Sequence, residues 1–397
     1  MRARGSKKSR ALDQELLDAA YRGERELVLR LLEQGASARY VSPYGETALM
    51  GACQHNDFIL VEALLHAGAD IQAVRDTYEN LYARETPLTK AVSFGHATIV
   101  RLLLSRGAEL DFFGDDARCL MYAACASGNE ETVQLLEERG AQPPREMTPL
   151  IYAIVRGRTE ECRRLLATGM APDKADTVGI TPLEWAALYG RTEAAELLEQ
   201  AGLCVRDDPK ALHAAARGDS AALCAWLTER GISPEQPDDG ECTALEIAIG
   251  YNSLQAAEAL LQHGASPHQP CSLCLMPLAV AAGEGNLPMA ALLLRYGADI
   301  NGTAYDGGAT ALIEAVKEDR EDMVRFLLEQ GADIEQADCE EWTPLFFTQT
   351  ASMARLLLDF GADPDACDLG GDTPLQMARA LKRDNKELIA LLRAASK

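Results

Sequence analysis

The sequence predicts an all-α repeat solenoid with about twelve repeats, counting the two terminal caps. Two observations support this fold class. Segments of the form Leu-Leu-x-x-Gly return along the whole chain, and Thr-Pro-Leu or a close relative of it stands in phase with them. A fixed period of 20 to 50 residues indicates stacked supersecondary units rather than separate globular domains.

The glycines that close the Leu-Leu segments give the period. Their spacings are 33, 39, 33, 29, 33, 29, 33, 33, 34 and 30 residues. A glycine after the last turn of a helix adopts the left-handed backbone that ends helices without strain. The spacing therefore predicts a helix end at each of Gly35, Gly68, Gly107, Gly140, Gly169, Gly202, Gly231, Gly264, Gly297, Gly331 and Gly361.

The Thr-Pro-Leu segments predict where each pair of helices begins. A threonine hydroxyl caps a helix, and proline fits the first helical position. About seven residues after the leucine comes a turn residue such as Gly95, Gly157 or Asn252, which leaves room for two short antiparallel helices. The threonines of the strict form are Thr86, Thr148, Thr181, Thr343 and Thr373, and those of the form Thr-Ala-Leu are Thr47, Thr243 and Thr310.

Together these segments resemble the ankyrin repeat, from about residue 11 to residue 397. The resemblance implies a helix-turn-helix unit followed by a β-hairpin loop, with the helices stacked on those of neighbouring repeats. It also implies that partners bind hairpin tips and the ends of the first helices. The histidine that usually follows the leucine is present only as His213, whereas Met50, Thr89, Glu184 and Phe346 replace it elsewhere.

The first ten residues differ from the rest because Arg2, Arg4, Lys7, Lys8 and Arg10 lie among them without an acidic residue. Residues 1–10 are predicted to be a disordered basic arm, or alternatively a weak anchor for an acidic surface. Residues 11–397 are predicted to form one solenoid. A sub-boundary near 202–211 is the alternative, since the linker is short there and residues 212–215 again look like the start of a repeat.

The formal net charge of −23 and the pI near 4.7 bear on the partner. A strongly acidic chain repels polyanions, so we expect a protein partner with a neutral or basic surface, and neither nucleic acid nor membrane. Eleven cysteines without framework spacing indicate reduced thiols, with Cys53, Cys125, Cys162 and Cys224 buried in helices. We therefore expect a cytoplasmic chain that is monomeric on its own.

Sequence motifs for catalysis are absent, since the chain has no phosphate-binding loop, nucleophile elbow or zinc-protease helix. We expect neither an enzyme nor a cofactor. One cluster, formed by His263, His268, Cys271 and Cys274, could hold zinc or cycle between thiol and disulfide. A single Cys-x-x-Cys is a weak zinc signature, so a metal- or redox-responsive module is the alternative and an incidental cluster is the favoured interpretation.

We expect a protein–protein interaction scaffold or adaptor that binds its partner through hairpin tips and the concave helix face of the N-terminal repeats. Aromatic residues in the first three repeats are the predicted partner-binding site. Two pairs lie in the hairpins that follow the first and third repeats, and a third pair lies in the longest hairpin, whose spacing exceeds 33 residues by six. Exposed aromatic side chains are common interface anchors, although some rings could pack under neighbouring hairpins instead. With the ends of two first helices added, the set is Tyr40, Tyr44, His55, Tyr78, Tyr82, Phe94, Phe112 and Phe113.

Two alternatives remain open for the chain as a whole. It could be a regulatory or inhibitory subunit of a larger assembly. The acidic hairpins after Gly331 and Gly361 could be a docking strip for a basic segment, although a solvated acidic face is the default interpretation.

Overall fold

The computed structural model of the protein describes residues 2–76, 84–110, 116–269, 275–304, 308–380 and 386–396, without the side chains of residues 2–9 and 116–119. The chain forms two compact units, Met1–Pro182 and Leu183–Lys397. This division falls before the sub-boundary near 202–211 that the sequence suggests, and the continuity of the whole solenoid stays a prediction.

Antiparallel pairs of short helices make up nearly all of the first unit. A two-stranded antiparallel sheet, β1 (Arg75–Asp76) and β2 (Arg84–Glu85), flanks the longest hairpin. The helices are α1 (Arg2–Arg22), α2 (Arg25–Glu33), α3 (Ala48–Ala52), α4 (Phe58–His66), α5 (Pro87–Ser93), α6 (Ala97–Ser105), α7 (Asp116–Ala126), α8 (Glu130–Glu138), α9 (Pro149–Val155) and α10 (Thr159–Ala167).

The second unit repeats the same arrangement, with two short 3₁₀ helices, Val205–Asp207 and Pro344–Phe347. Its α-helices are α11 (Pro182–Leu188), α12 (Thr192–Gln200), α13 (Lys210–Arg217), α14 (Ala221–Glu229), α15 (Ala244–Gly250), α16 (Leu254–Gln262), α17 (Pro277–Glu284), α18 (Leu287–Arg295), α19 (Ala311–Lys317), α20 (Glu321–Glu329), α21 (Ala351–Asp359), α22 (Pro374–Ala380) and α23 (Lys386–Ala395). When the 3₁₀ helix Pro344–Phe347 is counted as a first helix, the described helices of the two units form the twelve predicted pairs.

The predicted helix ends are confirmed. All eleven glycines of the Leu-Leu-x-x-Gly segments have φ between 86° and 100°, the left-handed region in which other residues are strained. Side-chain caps are confirmed at five of the threonines. The Thr47 hydroxyl accepts a hydrogen bond from Met50 N, and the Thr310 hydroxyl accepts one from Ile313 N. Thr86, Thr148 and Thr243 cap their helices in the same way. Sequence signals therefore fix both ends of the repeat.

Neighbouring repeats are joined by apolar contacts and by a series of polar bonds. In several repeats, a side chain that follows the helix turn reaches a backbone carbonyl of the preceding repeat. In the first unit His55 Nε2 lies 2.9 Å from Tyr21 O, and His96 Nε2 lies 2.8 Å from Gln54 O. In the second unit Arg320 Nε donates to Gly283 O over 3.0 Å. These bonds satisfy carbonyls that the ends of short helices leave open.

Small and branched apolar side chains fill the core. The four cysteines predicted to be buried thiols are buried, with Cys53 and Cys125 fully enclosed. Burial raises the pKa of Cys125 to about 12 and that of Cys162 to about 11, so both thiols are protonated at neutral pH. Cys224, whose pKa burial also raises to about 12, behaves in the same way, as a small apolar side chain.

Two of the shorter spacings correspond to local differences in the structure. Between α8 and α9 the hairpin is reduced, and the Tyr122 hydroxyl of one repeat donates to Asp176 Oδ2, 54 residues away, over 2.9 Å. In the repeat that ends at Gly361 the first helix is the 3₁₀ helix Pro344–Phe347. Its tighter winding leaves Thr343 without the side-chain cap bond that the sequence predicts for it.

The N-terminal helix is longer than the repeat pattern requires. Its 21 residues begin at Arg2, so the backbone of residues 2–10 is helical, whereas the sequence predicts a disordered arm there. The first helices of the next two repeats have only five and seven residues. The first repeat therefore carries a helical extension ahead of its core, which begins at Leu16.

Two glycines at the ends of first helices provide a test of how closely the repeats pack. A Cβ at Gly218 would lie 2.0 Å from Leu188 O, whereas one at Gly250 would meet nothing within 4 Å. We expect Gly218→Ala to lower the free energy of unfolding by about 1–3 kcal/mol or more, because the backbone of the preceding repeat must move. Gly250→Ala should leave it unchanged or raise it by up to about 1 kcal/mol.

Urea unfolding followed by circular dichroism measures both effects. Similar losses of stability in the two variants would show that the first helices of these repeats are not in close backbone contact.

Candidate functional site

The first described hairpin presents apolar side chains on a fixed turn. Val41 pairs with Thr47 in a β-bridge, and the buried Ser42 hydroxyl accepts hydrogen bonds from the backbone amides of Tyr44 and Glu46. This turn leaves the Tyr44 side chain 77% exposed and Val41 53% exposed. The exposure is therefore imposed by local backbone geometry.

Ion pairs tie this hairpin to the base of the next one. Arg75 Nη1 lies 3.2 Å from Glu46 Oε1 and 3.3 Å from Glu85 Oε2, and Lys90 Nζ lies 2.9 Å from Glu85 Oε1. Arg75 and Glu85 are also backbone partners in the β1–β2 sheet. The four side chains are between 15% and 29% exposed, so solvent screens these pairs less than it screens pairs on an open surface. We call Glu46, Arg75, Glu85 and Lys90 the ion-pair cluster.

Behind this cluster, an aromatic ring covers the inner helix of the second repeat. The Tyr21 ring lies over Gly51, where a Cβ would stand 2.5 Å from Tyr21 Cδ2. Burial, supported by the carboxylates of Glu46 and Glu85, raises the pKa of Tyr21 to about 12. The hydroxyl is buried and has no hydrogen-bond partner in the described part of the chain. Tyr21 thus keeps a protonated phenol beside the cluster.

We call the surface formed by the first helices α3 and α5 the inner face of these repeats. The turn that follows α5 lies at its far edge. Phe94 is the C-cap residue directly after this helix and is 52% exposed, and its ring stacks on His96 with the centroids 6.0 Å apart. Tyr44 and Phe94 therefore lie at opposite ends of the first helices, with Tyr21, Gly51 and the ion-pair cluster between them.

A small groove separates the first hairpin from the helix end that follows it in the next repeat. It encloses about 430 Å³ and is lined by Val41, Ile71, Arg39 and Asp70 among others. Arg39 Nε donates to Gly68 O over 2.9 Å, which anchors the guanidinium at the groove's edge. The groove continues the exposed apolar surface of Val41.

Two other predicted site residues form hydrogen bonds to residues of α1. The Tyr40 hydroxyl donates to Gln14 Oε1 over 3.0 Å, and the ring is half-buried. The half-buried His55 bonds to Tyr21 O and lies against Gly23. The remaining predicted residues, Tyr78, Tyr82, Phe112 and Phe113, lie outside the described residues.

Sequence reasoning overlooked the ion-pair cluster because single charged residues in hairpins are common on solvated surfaces. A signal was present, since Glu46 and Glu85 each stand directly before a helix-capping threonine, Thr47 and Thr86. The glycine at position 51, inside a first helix, was the signal for a ring packed over it.

The alternative metal site is described only in part. His263 and His268 are exposed, and Cys271 and Cys274 lie outside the described residues. Within the described ranges, no group of three or more His, Cys, Asp or Glu side chains could hold a metal ion. In the same ranges no helix is both long enough and apolar enough to cross a membrane.

The repeat geometry agrees with a comparison against known families. A family model described as "Ankyrin repeats (3 copies)" matches residues 16–114, 60–146, 120–208, 199–271 and 271–338. The chain belongs to the ankyrin-repeat family. Ankyrin repeats are protein–protein interaction modules, and the fold is typically non-enzymatic.

Similar proteins share only part of this chain. It is 32% identical over 149 residues to the ankyrin repeat and KH domain-containing protein mask-1 of Caenorhabditis elegans, which is 36% of this chain and 5% of that protein. It is 38% identical over 112 residues to the human ankyrin repeat, SAM and basic leucine zipper domain-containing protein 1, which is 26% of this chain and 22% of that protein. The chain thus spans less than a quarter of either relative.

Among solved structures, the chain is similar to the ankyrin repeat domain of Bcl-3, with 25% identity over 62% of this chain and 98% of that one, and a TM-score of 0.43. It is also similar to an ankyrin repeat domain from Acinetobacter baumannii, with 29% identity over 48% of this chain, all of that chain and a TM-score of 0.42.

The ion-pair cluster predicts a local effect on the first hairpin. We expect Arg75→Met to speed amide hydrogen exchange at Tyr44 and Glu46 by about tenfold, because the hairpin loses its bridge to β2. Arg101→Met is the matched control, since Arg101 pairs with Glu131 at 2.6 Å but both side chains are more than half exposed. Unchanged exchange in Arg75→Met would show that the backbone bonds of the turn suffice.

Proposed function

We propose that this ankyrin chain is a scaffold or adaptor that binds a partner protein through the hairpin edge and inner face of its first three repeats. The proposed contact residues are Tyr44, Phe94 and, from the hairpins outside the described residues, Tyr78, Tyr82, Phe112 and Phe113. Tyr40 and His55 belong to the proposed site through their hydrogen bonds to α1.

The observation that carries this proposal is the exposure of Tyr44 and Val41 on a turn fixed from both sides. A large apolar side chain that is 77% exposed contributes little to folding, because most of its surface stays in water. The turn around Ser42 and the ion-pair cluster hold it in a defined position. A preorganised anchor of this kind loses little conformational entropy when a partner covers it.

Exposed apolar residues in the second unit are more scattered. Tyr251 is 60% exposed but lies under the Arg217 guanidinium, 5.4 Å from the ring centroid. Leu369 is 65% exposed on an acidic hairpin between Asp368 and Asp372. In the first unit, by contrast, Val41 and Tyr44 lie on one hairpin, and Val41 also lines the groove.

The proposal is tested by the double variant Val41→Ser and Tyr44→Ser. We expect its melting temperature to stay within about 2 °C of the parent, because both side chains are exposed, while the amount of partner recovered in affinity purification from the native source falls at least tenfold. The partner is identified first with the unaltered chain.

The matched control is Leu369→Ser, which removes an equally exposed apolar side chain from a hairpin of the second unit. It should leave partner recovery unchanged. Undiminished recovery in the double variant, or an equal loss in the control, would remove the first hairpin from the binding site.

The hairpin residues outside the described ranges have their own test. Replacing Tyr78, Tyr82, Phe112 and Phe113 together by Ser is expected to leave the melting temperature nearly unchanged and to abolish recovery of the partner. A large loss of stability would show instead that these rings belong to the core.

A further inference from the structure

Charge is divided unevenly between the two units of the chain. Residues 1–182 carry 22 Lys and Arg against 26 Asp and Glu, a net charge of −4. Residues 183–397 carry 16 Lys and Arg against 35 Asp and Glu, a net charge of −19. The expectation of a neutral or basic partner is based on the total net charge of −23. Most of that charge belongs to the second unit, so the expectation applies to that unit. The unit that contains the proposed site is nearly neutral.

Within the first unit, basic residues are concentrated on the extension of α1. Its backbone is helical from Arg2, and the sequence of residues 2–10 includes five Arg and Lys and no acidic residue. Neighbouring repeats have first helices of five and seven residues that begin directly after their capping threonines. A helix that needed only to stack on α3 would not require this extension.

Contacts of α1 show on which side of the repeats the extension lies. At its C-terminal end, Tyr21 O is bonded to His55 at the turn between the helices of the second repeat. Eleven residues from its start, Asp13 Oδ1 accepts a hydrogen bond from Ser37 N over 2.7 Å, and Gln14 binds the Tyr40 hydroxyl. Asp13 and Gln14 thus lie at the level of the first hairpin.

From Asp13 the helix continues toward Arg2, away from the helix turns. At a rise of 1.5 Å per residue this segment adds about 16 Å of helix beyond the point where α1 meets the hairpin. The basic segment therefore begins at the edge where Val41 and Tyr44 are exposed. The side chains of Arg10, three residues before Asp13, and of Arg39, which lines the groove together with Val41, are both exposed.

We propose that the partner contacts this edge through an acidic protein segment that also carries an apolar side chain. The apolar side chain would pack on Tyr44 and Val41 or enter the groove, and the carboxylates would face the basic extension of α1. This inference rests on the proposed function and adds the charge of the contacting segment to it.

A protein segment is favoured over the other polyanions. Nucleic acid and anionic membranes present long arrays of negative charge, which the net charge of −23 of the whole chain repels. A short acidic segment meets only the local charge, because surface charges are screened beyond about 10 Å at 0.1 M salt. The apolar pair beside the basic residues also matches the mixed surface of a protein interface.

The test is to select peptides from a random display library on the full-length chain and to measure their binding by fluorescence anisotropy. We expect the selected peptides to be rich in Asp and Glu around an aromatic or aliphatic residue. Their binding should weaken at least tenfold in the variant Arg4→Glu, Lys7→Glu, Lys8→Glu and Arg10→Glu, and should weaken with rising salt. Glutamates near a helix start favour the helix, so this variant should fold.

The matched control reverses four other basic residues of the same unit, Arg145, Arg163, Arg164 and Lys174, all of them exposed. It changes the net charge by the same amount and should bind the selected peptides as the parent chain does. An equal loss in both variants would assign the effect to total charge and overturn the inference.

Further outcomes separate this inference from the proposed function. The acidic segment would be overturned if the selected peptides were basic or neutral. It would also be overturned if peptide binding survived the charge reversal but was lost in the variant Val41→Ser and Tyr44→Ser. In both cases the proposed binding site would remain supported. If neither the charge reversal nor the variant Val41→Ser and Tyr44→Ser weakened peptide binding, both the acidic segment and the proposed binding site would be contradicted. Single-stranded DNA and vesicles of equal parts phosphatidylcholine and phosphatidylserine are measured in the same way. If either bound more tightly than the selected peptides, and through the same basic residues, that polyanion would replace the acidic protein segment as the inferred partner.

Discussion

No single repeat of this chain can bury the apolar faces of its own two helices, and the stacking of each first helix on the next is the constraint on which the rest of the structure depends. The contact is close enough that Gly218 has no room for a Cβ beside Leu188 O. The side chains that follow the helix turns reach carbonyls of the preceding repeat at the same interfaces. Because stability arises between neighbours, hairpin tips are free to vary without loss of the fold.

The hairpin tips of the two units differ in the residues that they carry. In the first unit the hairpin tip exposes Val41 and Tyr44, and the space between it and the next hairpin is filled by Arg75 and two glutamates. In the second unit the hairpins are acidic and more of their carboxylates serve local geometry, as at Asp338, which accepts hydrogen bonds from Glu340 N and Trp342 N. A fixed apolar tip offers a partner an anchor, whereas an Asp that closes its own turn is already engaged.

The sequence predicted the repeat because its signals are local. Gly35 must adopt a left-handed backbone and Thr47 must cap a helix, and each requirement is visible in a few adjacent residues. The candidate site was less predictable, because its geometry depends on pairs of residues that are far apart in the sequence, such as Tyr40 and Gln14 or Arg75 and Glu46. Tyr40 looked like Tyr44 in the sequence, but only the packing of α1 shows that its hydroxyl binds Gln14. The ion-pair cluster and the length of α1 are likewise results of tertiary structure, since propensity alone does not pair Arg75 with Glu46.

The central claim is that a partner covers the first hairpin and the inner face beside it. The most direct measurement is hydrogen–deuterium exchange of the full chain with and without the partner purified from its native source. Slower exchange at residues 40–46 and at the β1–β2 pair, Arg75–Asp76 and Arg84–Glu85, is the predicted result. Slower exchange confined to residues 183–397, with the first hairpin unchanged, would contradict it.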